Sequence, residues 1–121
     1  MTRLVDETTG RVVAEHLEHA TSWWARFRGL MLRRTLPEGA GLRIEPCSSI
    51  HMMFMRFPID AVFYDRDYRV TKVARRVRPW VGISAGGRGT RGVIELPAGA
   101  ASGIEPGHRL RVEAQDHRTA A

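Results

Sequence analysis

The segment between residues 47 and 60 holds most of the side chains in this sequence that could do chemistry. Cys47 precedes His51 by four residues, and Met53 and Met55 follow the histidine at alternate positions. Alternate side chains on a β-strand point to the same face. This spacing therefore predicts that His51, Met53 and Met55 lie on one side of a cleft, close to Cys47.

Two kinds of chemistry are compatible with this group. A cysteine thiolate beside an imidazole could serve a hydrolase or transferase as its nucleophile, with Asp60 or Glu95 orienting the ring. Thioether and imidazole groups could also bind a soft metal such as Cu(I). Methionines in apolar strands usually fill the core, however, and no local signature of a cysteine hydrolase surrounds Cys47. The sequence therefore assigns no catalytic residue and predicts neither a metal nor a cofactor.

The other candidates for the cleft come from distant parts of the chain. Asp60 opens an apolar strand and Glu95 lies between Ile94 and Leu96, so each carboxylate must be solvated, paired or hydrogen-bonded. A purely structural role is the competing interpretation for both. Trp80 precedes a glycine-rich loop, where it can cover the cleft or anchor the core. The predicted cleft is lined by Cys47, His51, Met53, Met55, Asp60, Trp80 and Glu95.

The positive charge of the chain is concentrated in one segment. Residues 66–91 contain eight arginine or lysine residues and one acid, Asp67, which gives +7, whereas the whole chain carries +6. Such a segment attracts phosphates and acidic partners in a salt-sensitive way, although a solvated arginine-rich surface is the simpler alternative. The residues expected to give weak, nonspecific binding to polyanions are Arg75, Arg76, Arg78, Arg88 and Arg91.

Strands must position these side chains. Alternating or β-branched runs predict strands at residues 11–19, 42–44, 50–54, 60–64, 69–77, 93–96 and 109–114. The apolar run at 60–64 indicates a strand buried on both faces, and the spacing of Val70 and Val73 indicates a bulge. The predicted class is α+β, mostly β, with an antiparallel or mixed sheet and an ordered core of about residues 11–115.

One short helix is predicted after the first strand. Thr21 or Ser22 can cap its N-terminus, and Gly29 can end it in a left-handed conformation. Helical spacing places one group of apolar side chains on the face that packs against the core. This group consists of Trp23, Phe27, Leu30 and Met31.

Length and composition bound the class of protein. A chain of 121 residues can form one domain, 1–121, with its own core. The single cysteine excludes an internal disulfide, and the apolar runs are shorter than the roughly 18 residues of a membrane span. The first residues include two acids and lack the apolar stretch of a signal peptide. We therefore expect a soluble, cytoplasmic protein.

Four motifs in this chain resemble those of a known family. They are RGLMLRRTL (28–36), GLRI (41–44), PCSSIHMMFMRFPIDAVFYD (46–65) and VIELPAG (93–99). In this order and spacing they closely resemble the domain of unknown function 192 family, also called uncharacterised protein family 0127, over roughly residues 12–112. The resemblance implies a compact, mainly β, partly barrel-like fold with one short helix, and it carries over no catalytic residue. The chain departs from the family pattern at Met52 and His108.

The sequence favours a small binding or accessory domain that recognises a ligand or a protein partner through its polar and apolar cleft. Two alternatives stay open. The first is a hydrolase or transferase that uses Cys47 and His51. The second is nonspecific binding of anions or nucleic acid by the arginines of residues 66–91.

Overall fold

The computed structural model describes residues 2–31 and 33–114. Nine strands and one helix follow one another along this part of the chain. They are β1 (Thr2–Asp6), β2 (Arg11–Ala20), α1 (Trp23–Arg28), β3 (Ala40–Ile44), β4 (Ser49–His51), β5 (Ile59–Tyr64), β6 (Val70–Val77), β7 (Ile83–Ala85), β8 (Gly92–Pro97) and β9 (Leu110–Ala114). The predicted class, α+β with mostly β structure, is confirmed.

Seven strands form one curled sheet in the order β6-β5-β8-β3-β2-β1-β9, while β4 and β7 pair as a separate ribbon. Neighbours in the large sheet are antiparallel except for β2 and β3, which are parallel. The two edge strands approach each other where they begin. There Arg69 forms a bridge with Arg109, and the N–H of Val70 donates to the carbonyl of His108 at 2.8 Å. The sheet therefore closes into a half-barrel, as expected.

Helix α1 lies in the connection between β2 and β3. Parallel neighbours require such a crossover, because the chain must return to the same end of the sheet. Ser22 caps the helix by accepting the N–H of Ala25 on its Oγ at 3.1 Å, and Gly29 ends it with a φ of 48°. Both predicted helix boundaries are confirmed. The end of the helix packs against β3 and β8, where a Cβ on Gly29 would contact the side chains of Ile44 and Glu95.

The core occupies both faces of the central strands. All six residues of β5 are buried, as the continuous apolar run predicted. One face carries Ile59, Ala61 and Phe63 and packs with the segment that follows β4 and with Leu30. The opposite face carries Val62 and packs with residues of β1, β2 and β9. The expected bulge in β6 is present, because Tyr64 pairs with Val70 while Phe63 pairs with Lys72.

One strand precedes those that the sequence predicted. This strand is β1, which begins at Thr2, pairs with both β2 and β9 and buries Leu4 and Val5. Residues 98–103, which follow β8, form successive turns. In the part of the chain that the structure describes, no helix combines the length and hydrophobicity that a membrane span would need.

The predicted strand at 50–54 also differs, since β4 stops at His51. The chain then turns, with the N–H of Met55 donating to the carbonyl of Met52 at 3.0 Å and with Phe54 at a φ of 65°. The turn ends the two-residue alternation, so Met52 and Met55 are buried while Met53 is 53% exposed. The prediction that His51, Met53 and Met55 share one strand face is therefore wrong.

The apolar face of α1 is likewise only partly as predicted. Leu30 is buried, but Phe27 is 55% exposed and Met31 is partly exposed. The side chain of Trp23 lies outside the described part of the structure. Helix α1 has only six residues, and Trp24 and Phe27 are both exposed on its surface.

Candidate functional site

A small cavity of about 70 Å³ lies between the end of α1, strands β3 and β8, and the segment around β4. Four of the seven predicted cleft residues line it, namely Cys47, His51, Met55 and Glu95. A cavity of this size has room for a small polar group. The convergence of distant motifs expected from the sequence therefore occurs at this place.

Glu95 is the polar residue at the buried end of the cavity. It lies in the middle of β8, paired with Leu42 on one side and Ala61 on the other, and it is 4% exposed. Alternation along β8 puts it on the same face as Val93, which belongs to the apolar core next to α1. A carboxyl group is thus placed on a core-facing position of a central strand.

No hydrogen bond or ion pair within the described residues satisfies this carboxyl group. A Cβ on Gly29 would lie 3.6 Å from its Oε1, so the absence of a side chain at Gly29 leaves this approach open. Burial raises the pKa of Glu95 to about 7, and the positive charge of Arg33 acts in the opposite direction. Glu95 therefore changes charge near neutral pH while facing the cavity.

Cys47 has the environment of a neutral thiol. Its Sγ donates to the carbonyl of Ser49 at 3.1 Å, and its side chain is partly buried. Burial raises the pKa of the thiol, the negative charge of Glu95 adds to this effect, and the positive charge of Arg26 opposes it. Nucleophilic cysteines need the thiolate. In the described structure Cys47 also makes no hydrogen bond with His51.

His51 lies at the mouth of the cavity. It is the last residue of β4, pairs with Ile83 of β7 and has an exposed side chain. The imidazole lines the cavity on one side and a wider groove on the other. It therefore marks the boundary between a buried polar space and the surface.

The groove outside the mouth is apolar and has a volume of about 460 Å³. The rings of Trp24 and Phe27 stack at 5.9 Å on one side of it, although these residues are 62% and 55% exposed. Contiguous exposed apolar surface of this kind marks binding sites in soluble proteins. The residues that line the groove are Trp24, Phe27, Arg28, Met31, His51, Met53 and Phe54.

Two of the predicted cleft residues belong to this groove or its border. Met53 lines the groove rather than the cavity. Trp80 is 55% exposed, and its ring contacts Phe54 edge-on at 5.4 Å, so it lies beside the groove. Its backbone N–H donates to the carbonyl of Met52 at 2.8 Å. The interpretation of Trp80 as a core anchor is therefore wrong.

Asp60 belongs to neither the cavity nor the groove. Its Oδ1 accepts the backbone N–H of Arg76 at 2.9 Å, and its Oδ2 accepts those of Gly99 and Ala101 at 2.9 and 3.0 Å. Arg76 has a φ of 51° and lies where the register between β5 and β6 shifts. The placement of Asp60 in the cleft is wrong, because its carboxylate is used to join this irregularity to the turn at residues 98–101.

The arginines of residues 66–91 do not act as one uniform patch. Arg75 donates to the carbonyl of Ile104 at 2.6 Å and lies 3.8 Å from Glu105, and Arg91 lies 3.9 Å from Glu45. The side chains of Arg76, Arg78 and Arg88 are exposed. Acids from elsewhere in the chain thus neutralise part of the segment, and its binding to polyanions stays a prediction.

Helix α1 and its C-terminal turn supply the site residues that the sequence analysis did not find. Arg26, Gly29 and Met31 line the cavity, and Trp24 forms a wall of the groove. Trp24 was the available signal, because it is a large aromatic residue of α1 outside the apolar face that the sequence predicted. Among residues 2–31 and 33–114, no group of three or more His, Cys, Asp or Glu side chains is arranged to hold a metal ion.

Comparison with known proteins identifies the family but gives no activity. The chain is 32% identical to a UPF0127 protein of Thermococcus sibiricus over 127 aligned positions, which cover 97% of this chain and 79% of that one. A UPF0127 protein of Thermococcus gammatolerans is 39% identical over 103 positions, which cover 79% of this chain and 64% of its own length.

A similar fold is found in a solved structure, a protein of unknown function from Novosphingobium aromaticivorans. It has a TM-score of 0.77 and 26% identity, and the match covers 91% of this chain and 82% of that one. The model of the family DUF192, described as an uncharacterized ACR, matches residues 4–112. The resemblance found in the sequence motifs is confirmed, and the chain belongs to the DUF192 family.

Proposed function

We propose that this protein is a binding domain that holds the apolar body of a small ligand in the groove and a polar group of the same ligand in the cavity. The observation that carries this proposal is Glu95, a buried carboxyl group that faces the cavity without a hydrogen-bond partner in the described structure. His51, Phe27 and Met31 line both spaces, so one ligand can occupy them together.

The energetics favour a ligand at this position. An ionised carboxylate that is buried without a partner is costly, and functional sites are where such groups are retained. A ligand that donates a hydrogen bond to Glu95 would remove part of this cost. The groove volume of about 460 Å³ also falls in the range of small-molecule sites, which is about 300–1,000 Å³.

The environment of Cys47 supports binding rather than nucleophilic catalysis. Its thiol proton is donated to Ser49, and burial raises its pKa. In this interpretation Cys47 and Met55 form the wall of the cavity, and the exposed aromatic side chains of α1 provide most of the contact with the ligand.

The proposal can be tested by nuclear magnetic resonance with 15N-labelled protein and a library of small aromatic compounds, each of which carries one hydrogen-bond donor. We expect the compounds that bind to shift the backbone amide signals of Gly29, Ser49 and His51. Phe27→Ala should weaken binding at least tenfold. Val12→Ala is the matched control, because Val12 is also an exposed apolar residue but lies outside the groove, and it should change nothing. Shifts confined to other surfaces, or equal effects of the two variants, would refute the proposal.

A further inference from the structure

We propose that the ligands of this site are amines, with a protonated nitrogen in the cavity beside Glu95 and an aromatic or aliphatic body in the groove. This inference rests on the proposed function and adds the chemical class of the ligand. It follows from which groups line the two spaces, which of them already have partners, and which can be reached.

Glu95 carries the only carboxyl group that lines the cavity or the groove within the described residues. Its side chain is buried and has no hydrogen-bond partner among the described residues. An ammonium group has three N–H donors and a positive charge, so it would satisfy both the hydrogen-bonding capacity and the charge of the ionised carboxyl group. Neutral hydroxyl or amide groups would satisfy only the hydrogen bond.

The positive side chains nearby are less available to a ligand. Arg26 uses one guanidinium N–H to donate to the carbonyl of Pro46 at 3.1 Å, and its Nε, which has no partner among the described residues, is enclosed by protein atoms. Arg33 forms an ion pair with Glu18 at 3.0 Å. Arg28 is exposed at the rim, where water screens its charge. The charge at the buried end of the cavity is therefore that of Glu95.

The walls also suit a cation attached to an apolar body. Phe27 lines both spaces, and ring faces attract ammonium groups within about 6 Å. Met31 and Met53 offer flexible apolar contact to the rest of the ligand. A carboxylate ligand would instead place a second negative charge beside Glu95 in a space that excludes most water.

This arrangement predicts a definite pH dependence. Because burial raises the pKa of Glu95 to about 7, the ionised fraction of this residue increases about tenfold between pH 6 and pH 8. An aliphatic amine stays protonated over this range, so its affinity should increase by about the same factor. The other titratable or charged groups that face Glu95 or the cavity are Cys47, His51, Arg26, Arg28 and Arg33.

The test compares three probes that share a phenylethyl body: 2-phenylethylamine, 2-phenylethanol and 3-phenylpropanoate. Dissociation constants come from the amide shifts of Gly29, Ser49 and His51 at pH 6 and pH 8. At pH 8 we expect the amine to bind at least tenfold more tightly than the alcohol, and the carboxylate to bind least. Glu95→Gln should abolish the preference for the amine and its pH dependence. Glu105→Gln, which removes an exposed charge elsewhere, should leave both unchanged.

Imidazole groups in general change charge near neutral pH, so the pH series is repeated with His51→Gln. The tenfold increase in amine affinity should persist in this variant, and its loss would assign the pH dependence to His51 and overturn the inference. If the alcohol binds as tightly as the amine, the inference about amines fails while the proposed binding function stands. If none of the probes shifts the cavity amides, both fail.

Discussion

Replacing Asp60 by asparagine should destabilise the protein strongly, although the side chain keeps its size. The carboxylate of Asp60 is 1% exposed and accepts three backbone N–H groups, one on Oδ1 and two on Oδ2. An asparagine side chain has only one oxygen. In its best orientation the asparagine oxygen accepts the N–H groups of Gly99 and Ala101. The side-chain NH2 then faces the N–H of Arg76, and these two donors cannot form a hydrogen bond.

The expected loss follows from these contacts. A hydrogen bond to a charged group contributes about 1.5–3 kcal/mol, and leaving a buried donor unsatisfied costs about 1–3 kcal/mol. We therefore expect Asp60→Asn to lower the free energy of unfolding by about 2–3 kcal/mol. For a chain of this size, 1 kcal/mol corresponds to roughly 3–5 °C in Tm, which gives a decrease of about 6–15 °C.

Thermal and urea unfolding, followed by circular dichroism, measure this effect. Asp67→Asn is the matched control, because Asp67 is exposed and the same charge is removed there; it should change Tm by less than about 2 °C. Hydrogen exchange adds a local signature, since the amide of Arg76 should exchange faster in the variant. If the Tm of the Asp60→Asn variant lies within 2 °C of the wild-type Tm, the argument that this carboxylate stabilises the fold is wrong.

Three further predictions concern residues of the site and the core. Glu95→Gln should stabilise the protein by up to about 3 kcal/mol at pH 8 and have little effect near pH 4.5. The pKa of Glu95 rises on folding from its ordinary value of 4.5 to about 7, so the wild type loses stability as pH increases through this interval. Urea unfolding midpoints of the wild type and the variant at both pH values test this. The same difference in stability between the two proteins at both pH values would contradict it. Gly92→Ala should cost about 1–3 kcal/mol, because the added Cβ would overlap the Tyr64 hydroxyl and lie 2.8 Å from the Ile44 carbonyl; an unchanged Tm would refute this. Cys47 should react slowly with a thiol reagent in the native protein and rapidly after unfolding. A rapid reaction in the native protein would instead favour the interpretation of Cys47 as a catalytic nucleophile.

The parts of the fold with local sequence signals could be predicted. The alternating and apolar runs located most strands of the large sheet, and Ser22 and Gly29 located the ends of α1. Strand β1 was missed because its stability depends on pairing with β9, more than a hundred residues away. The turn after β4 was missed because Phe54, rather than a glycine or asparagine, adopts the positive φ. No local sequence pattern predicts a positive φ at a phenylalanine.

The site was predictable only for the residues that carry obvious chemistry. Cys47, His51, Met55 and Glu95 were expected to converge, and they line one cavity. Asp60 and Glu95 are both carboxyl residues in apolar strands. Asp60 has a structural role because three backbone N–H groups from distant residues surround its carboxylate, and their positions could not be predicted from the sequence. The contribution of α1 depends on the parallel pairing of β2 with β3, which directs the helix across the sheet. Sequence patterns do not encode that long-range choice.

The pairing of β1 with β9 has a consequence for how the protein is made. Thr2 lies opposite Ala114 in this pair, so one edge of β1 stays unpaired until β9 is available. During synthesis β1 can pair with β2 early, yet one row of its backbone groups stays open until β9 leaves the ribosome. Contacts between such distant residues slow folding and lengthen the exposure of unpaired edges to other chains. Until residues 110–114 emerge, the open edge of β1 is therefore available to neighbouring polypeptides.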